Sequence, residues 1–353
     1  ITGKNRVSVK GIPSNKGKHK AVMDSIDTIL ESVDHPLVAA KGSRMHGDQQ
    51  QSVSFGSAPT STQHQLVKPQ LSFTVPVDNS TEAFAPLMFD AKTGKLSREK
   101  PGAAHPYHDE ITNFNFPEKQ LQPAEEQPYL ELEGTPFTFI ETKGALQELA
   151  ATLAKETEIA VDLEHHSVHS FQGFTCLMQI STRSADFVVD VIALRDDMWL
   201  LKSVFLDAAI VKVLHGAESD IKWLQKDFGL YIANMFDTGI AMQTLRMPHS
   251  LYNVVDYFCQ LKLDKKYQLA DWRCRPLAGE MVMYARLDTH YLLYCYDRLR
   301  ILLRNSENQA LGNLLLHVFQ QSRRLCLTRY EKPKFDSEQS FADGMGASLG
   351  GLN

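Results

Sequence analysis

Proline is nearly missing from the larger part of this 353-residue chain: after Pro136 only Pro248, Pro276 and Pro333 occur, against twelve from Pro13 to Pro136. Proline lacks a backbone donor and interrupts helix interiors and central strands. Its density marks an irregular lead-in, and its scarcity afterwards leaves room for continuous helices and sheet. The length would accommodate two domains of roughly 100 to 200 residues, but this asymmetry predicts one large domain behind a long arm.

Other shortages narrow the class. No apolar run approaches the ~18 residues of a membrane-spanning helix, and the first residues carry no signal-type apolar core, so no membrane partner is expected. The five cysteines (Cys176, Cys259, Cys274, Cys295, Cys326) are scattered with no CxxC pair, a pattern of free thiols in a reducing compartment. Positive charge is not in excess: 37 Lys and Arg face 42 Asp and Glu, for a net charge of −5. That excludes a strongly basic chain but not a nucleic-acid binder, because bound metal ions or a local basic groove supply attraction on an acidic surface. The chain starts at Ile1 and ends in GASLGGLN with no structural stop, and it is expected to be part of something longer.

Residues 1–20 hold six Lys or Arg and no acid, and AVMDSIDTILESV (21–33) has its apolar residues on one helical face; together 1–33 read as a basic tail and a short helix. Residues 34–135 are rich in Gln, Ser, Thr and Pro and form an extended arm that cannot order alone, although the aromatics of HPYHDEITNFNFP are expected to dock. From 136 to 304 patterns of period 2 and 3.6 alternate. PFTFIET, EIAVDLEHH, TCLMQIST, DFVVDVIAL and AAIVKVLHG read as strands. KGALQELAATLAKET, SDIKWLQKDFGL, TGIAMQTL, LYNVVDYFCQL and one long stretch from Leu277 to Leu303 read as helices. The fold class is therefore α/β, a mixed sheet flanked by helices, with 305–353 as a following helix and linker.

Asp162 and Glu164 stand at i and i+2 on a strand, so both carboxylates face one side while Val161 and Leu163 face the core. Asp220 lies in the first turn of a helix after His215 and Gly216, where an acid also complements the helix dipole. Tyr284 and Asp288, at i and i+4, share a face of a long helix amid Met283, Leu287, Tyr291 and Leu292. A carboxylate in such apolar company needs a partner or a metal, and a cluster of oxygen ligands suits Mg²⁺ or Mn²⁺.

Four acids and a tyrosine in this order and spacing resemble the DEDD superfamily of 3′-to-5′ exonucleases, in the subclass that has Tyr-x-x-x-Asp as its last motif. VDLEHHS, TCLMQIST, VKVLHGAESDIKWLQKDFGL, NMFDT, YQLADWRCRPL and YARLDTHYLLY further resemble the RNase D branch and the catalytic subunit associated with the nuclear exosome. The likeness covers roughly Pro136 to Arg304, extends to KPQLSFTVPVDNS and HPYHDEI in the arm, and continues through QSRRLCLTRYEKPKF; in that family a helical HRDC domain follows. The resemblance implies an RNase H-like fold and two divalent cations, Mg or Mn. Asp162 would bridge the two, with Glu164 and Asp288 on the first and Asp220 on the second, and Tyr284 would orient the attacking water. It also implies single-stranded RNA 3′ ends as substrate, hydrolysis to nucleoside 5′-monophosphates, and nuclear RNA degradation and rRNA processing. The implied partners are the exosome core and an N-terminal cofactor protein, and the implied place is the nucleus, including the nucleolus. An inactive RNA-binding scaffold and a DNA exonuclease are the alternatives, decided by turnover and by rates on matched RNA and DNA.

The same resemblance makes His165, Lys265 and Gln268 substrate contacts, and Trp223 joins them as a candidate by its position. Strict strand alternation places His166, not His165, beside the acids, unless a bulge follows Glu164. Trp223, one turn beyond Asp220, suits either a base-stacking role or the core. HHxxH at 165–169 lacks further ligands for a tetrahedral zinc shell. Lys265, Lys266, Arg273 and Arg275 make KLDKKYQLADWRCRPL a candidate phosphate-contacting loop, with Trp272 packing it to the sheet. His215 is expected to support the Asp220 motif.

Overall fold

The computed structural model describes residues 68–333, apart from 81, 91–94, 101–103, 123, 169 and 309–311. The basic tail, the helix expected at 21–33 and His169 lie outside the described residues. Residues 34–67 of the proline-rich arm also lie outside the described residues; the part from Lys68 onward lends apolar side chains to the domain behind it. Its hairpin, β1 (Leu87–Asp90) and β2 (Lys95–Arg98), was not foreseen from the sequence. Leu87 is buried against Gly229, whose φ of 62° ends the helix Glu218–Phe228; a Cβ there would sit 1.9 Å from the Leu87 carbonyl oxygen. Phe89 stacks on Trp199 at 3.6 Å.

Further along the arm, Tyr107 and Ile111, at the start of and within the short helix His108–Asn113, enter the main core. Arg323 lies over the rings of Phe114 and Phe116 and donates to the Phe114 carbonyl. Gln120 and Asn234 exchange amide hydrogen bonds at 2.8 Å. The arm is thus anchored at several points. Ile111 is fully buried, so Ile111→Ala should cost about 2–5 kcal/mol, read as a lower midpoint in urea unfolding.

Six strands form the central sheet: β3 (Phe137–Ile140), β4 (Glu158–His166), β5 (Phe174–Ser181), β6 (Asp186–Val189), β7 (Val211–Leu214) and β8 (Met235–Asp237). Their order is β3-β6-β5-β4-β7-β8. β5 is antiparallel to both β4 and β6, and the pairs β3 with β6, β4 with β7 and β7 with β8 are parallel. Ile159, Val161 and Leu163 pack on one face with the helices Lys143–Leu153 and Glu218–Phe228. Ala160, Val211, Val213 and Phe236 pack on the other face with the helices from Thr238 onward, where Leu177, Trp272 and Ala285 form an adjoining cluster. This is the mixed, helix-flanked α/β sheet expected.

Two boundaries differ from expectation. β8 is only three residues long, too short for a periodic signal. The helix expected from Leu277 to Leu303 is two helices, Gly279–His290 and Leu292–Asn305, meeting at Tyr291 (φ −90°, ψ −7°). No Pro or Gly marks that joint; His290 pins it by facing Asp186 through Nδ1 and the Leu130 carbonyl through Nε2, both at 2.9 Å.

Candidate active site

Alternation along β4 turns Asp162 and Glu164 toward the face covered by the helix Gly279–His290, which carries Tyr284 and Asp288. One carboxylate oxygen from each of Asp162, Glu164 and Asp288 lies within 4.8 Å of the other two. Asp220, the third residue of the helix Glu218–Phe228, is buried outside that trio, close enough for its charge to act on Glu164. The turn before it is held by Asp237 at the end of β8, which accepts from the backbone N–H of Gly216, Ala217, Gly239 and Ile240. His215 faces Thr238 Oγ1 at 2.8 Å and so ties the same turn to the next helix.

Burial dominates the electrostatics. It pushes the Asp162 carboxyl up to about 7. Burial, then the negative neighbours Asp162, Asp288 and Asp220, pushes Glu164 up to about 10. Asp220 and Asp288 are raised well above their ordinary range, first by burial and then by Asp162. Among the described residues no Lys, Arg or His side chain pairs with any of the four. Three converging part-buried carboxyls with the buried Asp220 nearby, and no counter-charge among the described residues, are unfavourable unless cations enter. The donor set, all hard oxygen, fits Mg²⁺ or Mn²⁺.

Tyr284 and the acids Asp162, Glu164 and Asp288 line a cavity of about 230 Å³, together with Lys265, Gln268, Tyr252 and Asp264. The Tyr284 hydroxyl is held protonated above its usual range by burial and by Asp288 and Glu164, so it donates and does not act as a base. Its ring packs edge-on to Tyr267 and tilted to Trp272. The Lys265 ammonium sits over the Tyr252 ring at 5.3 Å. Tyr252 and Asp264 carried no sequence signal, because nothing in a helical pattern or a loop tells which side chain will border a cleft.

The loop's other cations differ from expectation. Arg275 donates to both carboxylate oxygens of Asp190, at 2.6 and 2.8 Å, and to the Cys176 carbonyl. Arg273 is buried against Asp271, and Lys266 pairs with Glu280. Arg275 and Lys266 fasten the loop to the domain and Arg273 braces it internally, while Lys265 is the loop cation that lines the cavity. Trp272 is buried as expected.

A register shift does occur between Glu164 and His165, but the extra residue is Cys176 on β5: Glu164 pairs with Leu177 and His165 with Thr175. The alternation of β4 itself is therefore unbroken. His165 turns toward the helix Glu218–Phe228, stacks flat on Trp223 at 4.2 Å, and meets the Lys226 ammonium at 3.3 Å from Nε2. His166 lies on the acids' side of the strand, but it is buried against Phe174 and 3.6 Å from Asp271. Trp223 packs against the main core, as one of its two readings expected, and its ring is stacked on His165. Neither His165 nor Trp223 borders the cavity of Lys265 and Gln268. The group able to hold a metal among the described residues contains no histidine; His169 of HHxxH lies outside them.

Comparison with known proteins follows the same lines. Residues 137–304 match the family model for a 3′-5′ exonuclease. The catalytic core of RRP6 from Trypanosoma brucei superimposes with a TM-score of 0.75 at 55% sequence identity, covering 82% of this chain and 78% of that one. The chain belongs to the RRP6 family. Among curated members, human exosome complex component 10 is 42% identical over 311 residues, 77% of this chain and 35% of the relative. Exosome complex exonuclease RRP6 of Saccharomyces cerevisiae is 39% identical over 337 residues, 88% of this chain and 44% of the relative. The chain thus spans between a third and a half of the length of these RRP6 relatives. The fold and the 3′-5′ exonuclease domain are those the sequence motifs implied.

Proposed function

We propose that this RRP6-family chain is a metal-dependent, hydrolytic 3′-to-5′ exoribonuclease of the nucleus and nucleolus that degrades and trims RNA, rRNA precursors among it, with the exosome core and a cofactor protein. The observation that carries the reading is the meeting of Asp162, Glu164 and Asp288 within 4.8 Å in a cavity shared with Tyr284, Lys265 and Gln268. Exosome membership of the named relatives supports the RNA substrate and the partner.

Bound divalent cations supply the positive charge that ionises these carboxyls, acidifies the attacking water and offsets the charge of the phosphate. The chain's own groups do the placing. Glu164 accepts from the attacking water and the Tyr284 hydroxyl donates to it, fixing its direction of approach. Lys265 and Gln268, which line the same cavity, hold the terminal nucleotide. Water oxygen bonds to phosphorus as the bond to the 3′ oxygen of the preceding nucleotide breaks. That oxygen takes up a proton, leaving a shortened strand with a free 3′ hydroxyl and a nucleoside 5′-monophosphate. Loss of the Tyr284 donor or of the Glu164 acceptor would leave the cavity able to bind but not to cleave.

With a 5′-labelled single-stranded RNA and Mn²⁺ or Mg²⁺, the expected result is a ladder of shortening strands that keep the label, with 5′-monophosphates accumulating. Early release of the label as a mononucleotide would overturn the polarity. Faster cleavage of a matched DNA strand would move the substrate to DNA, and binding without cleavage would favour the scaffold.

A further inference from the structure

Gln179 is a long polar side chain at the centre of the sheet. It lies on β5, flanked by Asp162 on β4 and by Val188 on β6. Directly opposed residues of an antiparallel pair share a face, with Cβ atoms roughly 4.5–5.5 Å apart, so Gln179 points to the same side as Asp162. The helix above is located by the hydrogen bond that Ser181, two residues along the same face, accepts from the Thr289 hydroxyl while donating its own proton to Asp186. Leu177, two residues the other way, belongs to the cluster of Ala285. Gln179 therefore lies beneath the turn of that helix that carries Asp288.

The residue has no exposed surface, and neither Nε2 nor Oε1 has a hydrogen-bond partner among the described residues. Each such orphan costs about 1–3 kcal/mol, and the flanking Val188 shows that an apolar side chain suits this layer. The one polar cross-strand neighbour is Asp162, a residue that itself lacks a cationic partner. An amide N–H that donates to a metal-bound carboxylate makes a charge-assisted hydrogen bond and fixes how the ligand is turned.

We propose that Gln179 is a positioning residue of the metal site, its side-chain amide orienting the ionised Asp162 carboxylate for the cations. This rests on the metal-site reading given above. Hydrogen-bonded groups behind metal ligands typically change affinity about 10- to 100-fold when removed. Because the Gln179 amide has no partner among the described residues and lies opposite Asp162, its contribution is expected in metal binding and not in stability measured in chelator.

The test uses Gln179→Leu and the unbranched Gln179→Met in the chain as it stands, with calorimetric titration of Mn²⁺ and thermal unfolding in chelator. Both variants are expected to bind Mn²⁺ about 10- to 100-fold more weakly, to unfold in chelator no lower than the parent, and to regain RNA hydrolysis at high Mn²⁺. Parental Mn²⁺ affinity in either variant overturns the proposal. So does a lower midpoint of both in chelator, which would show that the amide already has a partner in the metal-free protein. Failure of the parent itself to bind Mn²⁺ removes the metal site, and this assignment with it.

Discussion

Replacing Asp288 by Asn should slow RNA hydrolysis by about 10³-fold or more while leaving the affinity for single-stranded RNA equal to the parent's or higher. Asn keeps the volume and one oxygen but withdraws a charge from the trio that converges within 4.8 Å. Metal ligation contributes several kcal/mol of charge stabilisation, and each ~1.4 kcal/mol is a factor of ten in rate. In the proposed reading ground-state binding rests instead on Lys265 and Gln268, which line the same cavity, and one negative charge fewer eases the approach of a phosphate. Single-turnover cleavage with enzyme in excess, alongside fluorescence anisotropy of the same oligonucleotide, separates the two effects. A parallel loss of rate and affinity would place Asp288 in substrate binding, and an unchanged rate would remove it from the reaction.

The residues of that prediction were legible in the sequence because each sits on an element long enough to carry a period. Asp162 and Glu164 show themselves by alternation against Val161 and Leu163, and Tyr284 and Asp288 by helical spacing. What was not legible depends on long-range partners. The break at Tyr291 is set by His290 reaching Asp186 and the Leu130 carbonyl, residues 104 and 160 positions away. Arg273 and Arg275 look like phosphate contacts until Asp271 and Asp190 are seen to hold them. The direction of His165 turned on which strand bears the extra residue; β5 does, so the acids' strand kept its alternation. Gln179 sat unremarked in TCLMQIST because a buried strand tolerates a polar residue only when a partner exists, and sequence names no partner. Arm docking was foreseeable from its aromatics, but the hairpin at Leu87–Arg98 was not, since its strands are four residues each.

Glu164→Gln should make the metal-free protein more stable while abolishing both hydrolysis and most of the stabilisation by Mn²⁺, and the gain should widen as pH rises from 6 to 9. In the unfolded chain a Glu carboxyl titrates near 4.3, whereas in the fold burial and the surrounding acids push Glu164 up to about 10. Between those values the folded protein holds a proton that the unfolded chain has released. Stability contributed by this raised group is complete below about 4 and is lost as pH climbs toward 10, on the order of 1 kcal/mol per pH unit. Gln cannot ionise and escapes that loss. Lys212, buried and pushed down to about 7, titrates with the opposite sign in the same window, so the quantity to follow is the difference between the two proteins and not the slope of either. For a domain of this size each kcal/mol moves the thermal midpoint by roughly 2–4 °C, well within reach of scanning calorimetry in chelator. Mn²⁺ should raise the parental midpoint by mass action and reverse its ordering with the variant, because cations favour the ionised carboxylates that burial alone disfavours. A variant less stable than the parent in chelator at pH 9 would mean that Glu164 is satisfied by the protein itself, and the case for a cation site built around it would fall.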